Sequence, residues 1–373
     1  MMGRFILLLS CIGLLYFSWP VMEKKIQNND SFHQIQSEID AIKNSPENSK
    51  KLDELYDQVQ QVLLMFDNKL EKPQPTNEKD VKLKLQTPDQ AVFSIHNIEL
   101  GEAKTEIEHK LGPAKRSSLN EYGTTWNTYH DHYRNFFMVM YDQHNKAAGL
   151  YTNQNLISSK LGIKLGTPKE TVRAKFGEPL TKIQKGLIIY QLDQNSDYDV
   201  FLKDSVYITV FYDKHEGNTV TAMQLITKDM EQKKTDLYTK ASSQLKEGFE
   251  YQLFDLTNAA RVEHKLSTLT WDEHIRQTAR KHSSDMAVNQ YFDHTNLKGQ
   301  SPFDRMKEDH IIFYLAGENL AYGQLSSIFA HEGLMNSLGH RENILRKGYK
   351  YLGIGVAFND KSQPYYTENF YAK

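Results

Sequence analysis

The chain opens on a mostly apolar run, Phe5 to Met22, set between Arg4 and the polar Glu23, Lys24 and Lys25. Its 18 residues are at the short end of what spans a bilayer. No small-x-small cleavage pattern follows, so residues 1–25 read as an uncleaved membrane anchor rather than a removed signal segment. Positive charge on both flanks leaves the orientation signal weak. A strongly polar stretch follows, within which Leu52, Tyr56, Val59, Leu63 and Phe66 recur at alternating four- and three-residue steps. That spacing predicts one amphipathic helix. Pro73 to Gln90 loses the periodicity and reads as a linker, so residues 26–90 form a helical spacer and linker.

The next region repeats itself. The segment from Ile98 to Gly112 resembles the segment from Ile163 to Gly177, starting 163 − 98 = 65 residues later. Each predicts a short helix that buries Ile107 and Leu111, or Val172 and Phe176, and then stops at a glycine. Strand-like runs follow at Phe136–Tyr141 and Val206–Tyr212. Residues 91–232 are therefore expected to be an α+β domain made of two helix-plus-hairpin units. Its histidines (His96, His109, His130, His132, His144 and His215) follow no ligand spacing and read as solvated surface.

Beyond the polar stretch Lys228–Lys246, the helical period returns. Leu245, Phe249, Leu253, Leu256 and Ala260 share one helix face. Asp272 caps a second helix whose inner face carries Ile275, Ala279, His282 and Met286, which makes His282 a core histidine.

Composition narrows the classes. The 45 basic and 47 acidic residues nearly cancel, which argues against a surface built for nucleic-acid phosphates. The one cysteine, Cys11, lies in the apolar run, so any exported portion must fold without intramolecular disulfides. A lipoprotein reading of Leu8-Leu9-Ser10-Cys11 fails because the preceding apolar run is too short.

Four short segments then carry the specific signal: Tyr291-Phe-Asp-His-Thr295, Ser301-Pro-Phe-Asp-Arg-Met306, Ala316-Gly-Glu-Asn-Leu-Ala-Tyr-Gly323 and Met335-Asn-Ser-Leu-Gly-His-Arg-Glu-Asn-Ile-Leu345. Gly353-Ile-Gly-Val356 and Tyr365-Tyr-Thr-Glu-Asn-Phe370 complete the series. In order and spacing they resemble the bacterial form of the CAP superfamily (cysteine-rich secretory, antigen 5 and pathogenesis-related-1 proteins). The middle region resembles the CAP-associated domain found upstream of such modules in Gram-positive bacteria.

The resemblance implies a three-layer α-β-α sandwich with a central antiparallel sheet over residues 242–373, so the whole is α+β. It also implies an open cleft bearing two histidines and two glutamates. His294, His340 and Glu318 fall on three of those positions. The fourth does not transfer: Ser337 stands where the second glutamate is expected, and Glu332 is the available substitute. Five residues turn a helix through about 500°, so Glu332 and Ser337 point about 140° apart unless the helix ends early. Asn319 and Arg341 are expected to brace the loops from behind. Tyr322, Tyr365 and Tyr366 read as core packing.

Three readings of the cleft follow. His294 and His340, with Glu318, are candidate ligands for zinc or another divalent cation. A water activated by a histidine or metal, with Glu318 as base, could hydrolyse peptide or cell-wall material. Ser283, Ser284 and Ser337 sit in no nucleophile signature. In the third reading, His294, Glu318 and His340 form a hydrogen-bonded network that shapes a binding cleft. The expectation is an extracytoplasmic cell-envelope protein, held to the membrane by its N-terminal segment. It would bind a small-molecule, lipid, peptide or envelope partner, with a metal-dependent hydrolase as the alternative.

Overall fold

The computed structural model describes residues 83–194 and 196–373. The expected anchor and the helix of Leu52 to Phe66 lie outside the described residues. No helix among the described residues is long and apolar enough to cross a membrane.

Both copies of the repeat fold as helix plus strands. Helix α1 (Lys104–Leu111) ends on Gly112 at φ 78°, and α2 (Lys169–Phe176) on Gly177 at φ 82°. Those backbone angles suit glycine alone, which is why both helices stop there. Ile107 and Val172 are fully buried as expected, whereas Leu111 is 36% exposed. Around these helices run β1 (Phe93–Ile95), β2 (Arg116–Leu119), β3 (Thr125–Asp131), β4 (Arg134–Tyr141), β5 (Ala147–Thr152) and β6 (Ile157–Ser159). After α2 come β7 (Lys182–Lys185), β8 (Ile188–Gln191), β9 (Tyr198–Lys203), β10 (Val206–Asp213) and β11 (Thr219–Thr227).

The two copies fuse into one sheet of order β2-β3-β4-β5-β11-β10-β9. Its midline is the antiparallel pair β5 and β11, with β3-β4-β5 on one side answered by β9-β10-β11 on the other. Side chains alternate across a strand, so Phe137 and Val139 join Ile107 and Val172 in one core. Phe136, Met138 and Met140 point the other way, and they are buried too.

What buries them is the C-terminal region. Helix α3 (Lys228–Lys233) leads to α4 (Ser243–Glu263), capped by the Ser242 side chain accepting from Leu245 N–H. Then follow β12 (Thr270–Trp271), α5 (Glu273–Asn289), α6 (Pro302–Glu308), β13 (Leu315–Tyr322), α7 (Ser327–Asn336), α8 (Leu338–Ile344), β14 (Tyr351–Phe358) and β15 (Pro364–Ala372). The sheet order is β12-β14-β15-β13, antiparallel except for the short parallel edge strand β12. Leu352, Ile354, Val356 and Phe370 face α4 and α7. The opposite face packs on α5 through Ile275, Met286 and Ala287. Helix, sheet and helix make the three layers.

Leu256 and Ala259 of α4, with Ile328 of α7, share a core with Trp126, Phe136 and Tyr151 of the long sheet. A Cβ on Gly248 would lie 2.1 Å from the Leu119 carbonyl oxygen, so backbone meets backbone here. Polar links cross the same seam. Asp255 is reached by Arg116 at 3.1 Å and by the Tyr133 hydroxyl at 3.0 Å. Arg341 pairs with Asp213 at 2.8 Å, so it ties two regions together rather than bracing the cleft loops.

Glu332 sits in this seam. Its carboxyl accepts a 2.5 Å hydrogen bond from Tyr151, and burial pushes its pKa from 4.5 up to about 7. A carboxyl whose folded pKa is raised favours the folded state while protonated. That stability is fully present below pH 4.5 and is lost as pH rises through 7. At ~1.4 kcal/mol per unit, the upward shift to about 7 corresponds to about 3 kcal/mol. Urea unfolding of the parent and Glu332→Gln at pH 5 and pH 8 should show the parent losing about 2.5 kcal/mol more across that range, part of the effect being already lost at pH 5. Parallel pH profiles would show that Glu332 is not buried as an acid.

Candidate functional site

The cleft is assembled from four elements. Glu318 lies on β13, His294 on the loop after α5, Arg305 on α6, and His340 on α8. Glu318 is buried, and both its oxygens are engaged. His294 Nδ1 lies 2.9 Å from Oε1, and Arg305 Nη2 donates to Oε2 at 2.6 Å. Arg305 also donates to the carbonyls of His294 (2.8 Å) and Gln300 (3.0 Å). One guanidinium therefore fixes both the carboxylate and the loop that carries the imidazole.

Because a carboxylate only accepts, the His294 proton shared with Glu318 must be on Nδ1. Nε2 of the neutral ring is then left with a lone pair, and the side chain is 49% exposed. Burial, and then the charge of His294, hold the His340 pKa below its ordinary value. The His340 imidazole can thus act as an acceptor near neutral pH.

His340 Nδ1 sits 2.8 Å from Ser337 Oγ. Ser337 reaches it because the helix does end early: α7 stops at Asn336 and α8 begins at Leu338. Asn336 is held by the long sheet's last hairpin, accepting from Lys214 N–H at 3.0 Å and donating to the Tyr212 carbonyl at 2.8 Å. Its own carbonyl faces His215 Nε2 at 3.1 Å rather than continuing the helix. The middle region therefore sets the break that brings Ser337 to His340. His215 is exposed, as read, with its ring at the edge of that seam.

Beneath the cleft, Asn319 donates to the His340 carbonyl (3.1 Å) and to Glu368 Oε2 (3.0 Å), bracing the loop from behind as expected. Burial raises the Glu368 pKa to about 7. Neither Arg305 nor Glu368 was singled out from sequence. An arginine in Phe-Asp-Arg-Met and a glutamate inside the aromatic strand Tyr-Tyr-Thr-Glu-Asn-Phe were the available signals.

Glu332 does not join His294, Glu318 and His340; it contacts Tyr151 in the seam. His282 is buried, with Nε2 3.0 Å from the Asp293 carbonyl, and burial lowers its pKa. Ser283 is buried against Gly355 and Thr367 with no base beside it, while Ser284 is exposed. Tyr365 and Tyr366 are core residues, but Tyr322 is 38% exposed and stacks between Phe292 and Tyr365. Among the described residues, no group of three or more His, Cys, Asp or Glu is arranged to hold a metal ion.

The chain matches the family model described as CAP-associated N-terminal over residues 100–237, and the Cysteine-rich secretory protein family over residues 254–370. Uncharacterized membrane protein YlbC of Bacillus subtilis is 30% identical over 318 residues, 80% of this chain and 88% of the relative. Uncharacterized protein YkwD of the same organism is 38% identical over 140 residues, 38% of this chain and 53% of that one. Among solved structures, an extracellular protein containing a SCP domain from Bacillus anthracis superposes with a TM-score of 0.65 at 24% identity, covering 79% of this chain and 100% of the other. A cysteine-rich secretory protein from Staphylococcus aureus gives 0.57 at 17% identity, covering 74% and 94%. With its cleft on β13 and α8 and its repeat domain upstream, the chain belongs to the CAP family, carrying a CAP-associated N-terminal domain ahead of its CAP domain.

Proposed function

We propose that this is an extracytoplasmic cell-envelope protein that binds a ligand or protein partner through the cleft of His294, Glu318 and His340, without chemical turnover. The observation that carries the reading is the double engagement of Glu318 by Arg305 and His294. A carboxylate paired with a guanidinium and 1% exposed is a poor general base, and it is closed to an incoming metal. What it does well is hold His294 in one tautomer and one orientation, as a binding site requires. The membrane-protein name of the Bacillus subtilis relative and the extracellular source of the Bacillus anthracis structure support the location.

One observation favours a divalent-metal hydrolase as a second reading: a carboxylate holding a histidine by Nδ1 is the arrangement that orients metal-ligating imidazoles. His294 and His340 would hold the ion, which would supply a polarised water. Two imidazoles fall short of the three protein ligands usual at a catalytic zinc, and Ser337 stands where a further carboxylate would serve. Elemental analysis of the full chain after incubation with zinc, beside the His294→Ala/His340→Ala variant, should find no stoichiometric zinc dependent on the two histidines. Near-stoichiometric zinc in the parent and none in the variant, with chelator-sensitive cleavage of cell-wall peptide, would replace the binding reading with the hydrolase.

A further inference from the structure

The two imidazoles His96 and His130 of the middle domain are not solvated surface. They line a cup of about 240 Å³ at the hairpin end of β3 and β4. His96 stacks on Phe137 at 4.7 Å between ring centres, and Phe137 on Tyr129 at 5.2 Å; the latter two are almost wholly buried, so His96 is the ring of this ladder that opens on the cup. The wall sets apolar Leu111 and Pro113 beside polar His130, Asn135 and Lys115.

A break in the sheet register makes this mixed lining. Tyr129 pairs with Phe137 and Asp131 with Arg134, so two residues of β4, Asn135 and Phe136, oppose the single His130. In a regular strand Tyr129 and His130 would face opposite sides; the bulge re-aims the chain so that both border one cavity. Asn135 takes φ 52° to achieve this, and His96 takes φ 56° in the turn across the cup. Such backbone angles in residues other than glycine concentrate where a ligand is gripped.

The charge on the rim is unbalanced. Asp131 is taken by Arg134 at 3.0 Å, and Arg116 by Asp255 at 3.1 Å. Lys115 is left as the uncompensated charge of the rim among the described residues. His130 Nδ1 accepts the Tyr133 N–H at 2.9 Å, which places the ring proton on Nε2 as a donor. Burial, and then the nearby charge of Lys115, push its pKa down to about 4, so the ring stays neutral.

We propose that this cup is a ligand site of the middle domain, taking a small carboxylate with a flat ring for a body. The carboxylate meets Lys115 and the donors of His130 and Asn135, and the ring lies against His96, Leu111 and Pro113. The volume equals about eight waters at ~30 Å³ each, which suits a single six-membered ring bearing one carboxylate. The cup also leads toward the CAP domain. His130 stacks on Tyr133 at 4.2 Å, and the Tyr133 hydroxyl donates to Asp255 of α4.

The test is a fluorine NMR titration of the full chain with 4-fluorobenzoate. Saturable binding is expected, weakened about tenfold in Lys115→Met and about tenfold when 4-fluorobenzamide replaces the acid. Trifluoroacetate, a carboxylate without a ring, should also bind about tenfold more weakly. Lys115 is exposed, so its variant should unfold at the parent's midpoint. No saturable binding of 4-fluorobenzoate, or equal affinity in parent and Lys115→Met, would overturn the proposal. Equal binding of trifluoroacetate would overturn the ring component.

Discussion

Glu250→Ala should cost about 3–5 kcal/mol, the range for removing one partner from a buried ion pair. Glu250 is fully buried in the middle of α4 and holds two arginines of α5. Arg276 donates to it from Nη2 at 2.6 Å, and Arg280 from Nε at 2.7 Å and Nη2 at 2.6 Å. The same carboxylate accepts the Val356 N–H of β14 at 3.1 Å. One side chain thus ties all three layers of the CAP domain together. Arg280 can turn toward water when Glu250 is lost, because it is 23% exposed. Arg276 cannot, at 5%, and it lies against the rings of Trp271 and Tyr251. It keeps Glu273 at 2.9 Å and Glu247 at 3.4 Å, so the cost falls at the low end of that range and comes from the lost hydrogen bonds and a charge that is only partly compensated. Urea unfolding of parent and variant at neutral pH would measure it. A loss below about 1 kcal/mol would mean that the arginines find water, and that the triad is a surface pair in effect.

Gly355→Ala should be as damaging by a different route. A Cβ there would lie 2.1 Å from Arg280 N and 2.2 Å from Ala279 C, both backbone atoms of α5. No side-chain rotation can relieve that contact, so the helix must lift from the sheet. The expected loss is at the top of the about 1–3 kcal/mol range for overpacking, or beyond it. The Ser283 hydroxyl would also lose its hydrogen bond to the Gly355 carbonyl. The loop bearing His294 hangs from the end of α5, so the cleft should loosen together with the fold. Two readings check this: the unfolding midpoint, and the His294 imidazole resonance in proton NMR. An unchanged midpoint and resonance would show that α5 has room to move.

The glycine pair at 353 and 355 was visible in sequence as part of a motif, but its reason was not. Spacing cannot show that a helix backbone lies directly on a strand. The same distinction runs through the molecule. The inner faces of α4 and α5 were readable because helical period marks which side is apolar: Leu245, Phe249, Leu253, Leu256 and Ala260, and Ile275, Ala279, His282 and Met286, are buried. Asp272 announced the N-terminus of α5, since a short side-chain oxygen there satisfies a backbone N–H that would otherwise lack a partner. The repeat was readable because Gly112 and Gly177 must stop their helices. That its two copies join through β5 and β11 was not, because strand pairing at long range leaves no local mark.

His294, Glu318 and His340 were legible as a set, each carried by a motif of its own. Their chemistry was not, because it depends on Arg305 saturating Glu318, and ion-pair partners are chosen by packing. The position of Ser337 depended on a helix break. Local sequence gives Asn336-Ser337 only a modest tendency to end a helix; the hydrogen bonds from Tyr212, Lys214 and His215 supply the rest. Glu332 was the available substitute for the cleft, and packing against Tyr151 puts it in the seam instead. His96 and His130 are half-buried by their own domain, while His109, His132, His144 and His215 are exposed as read. The sequence by itself determined the elements, their apolar faces, their stops and three residues of the cleft, because these follow from local backbone preference and periodic burial. The tertiary structure alone decided the fused sheet, the sealed seam, the pairing of Glu318 and the cup at His130, because each needs atoms brought together from distant parts of the chain.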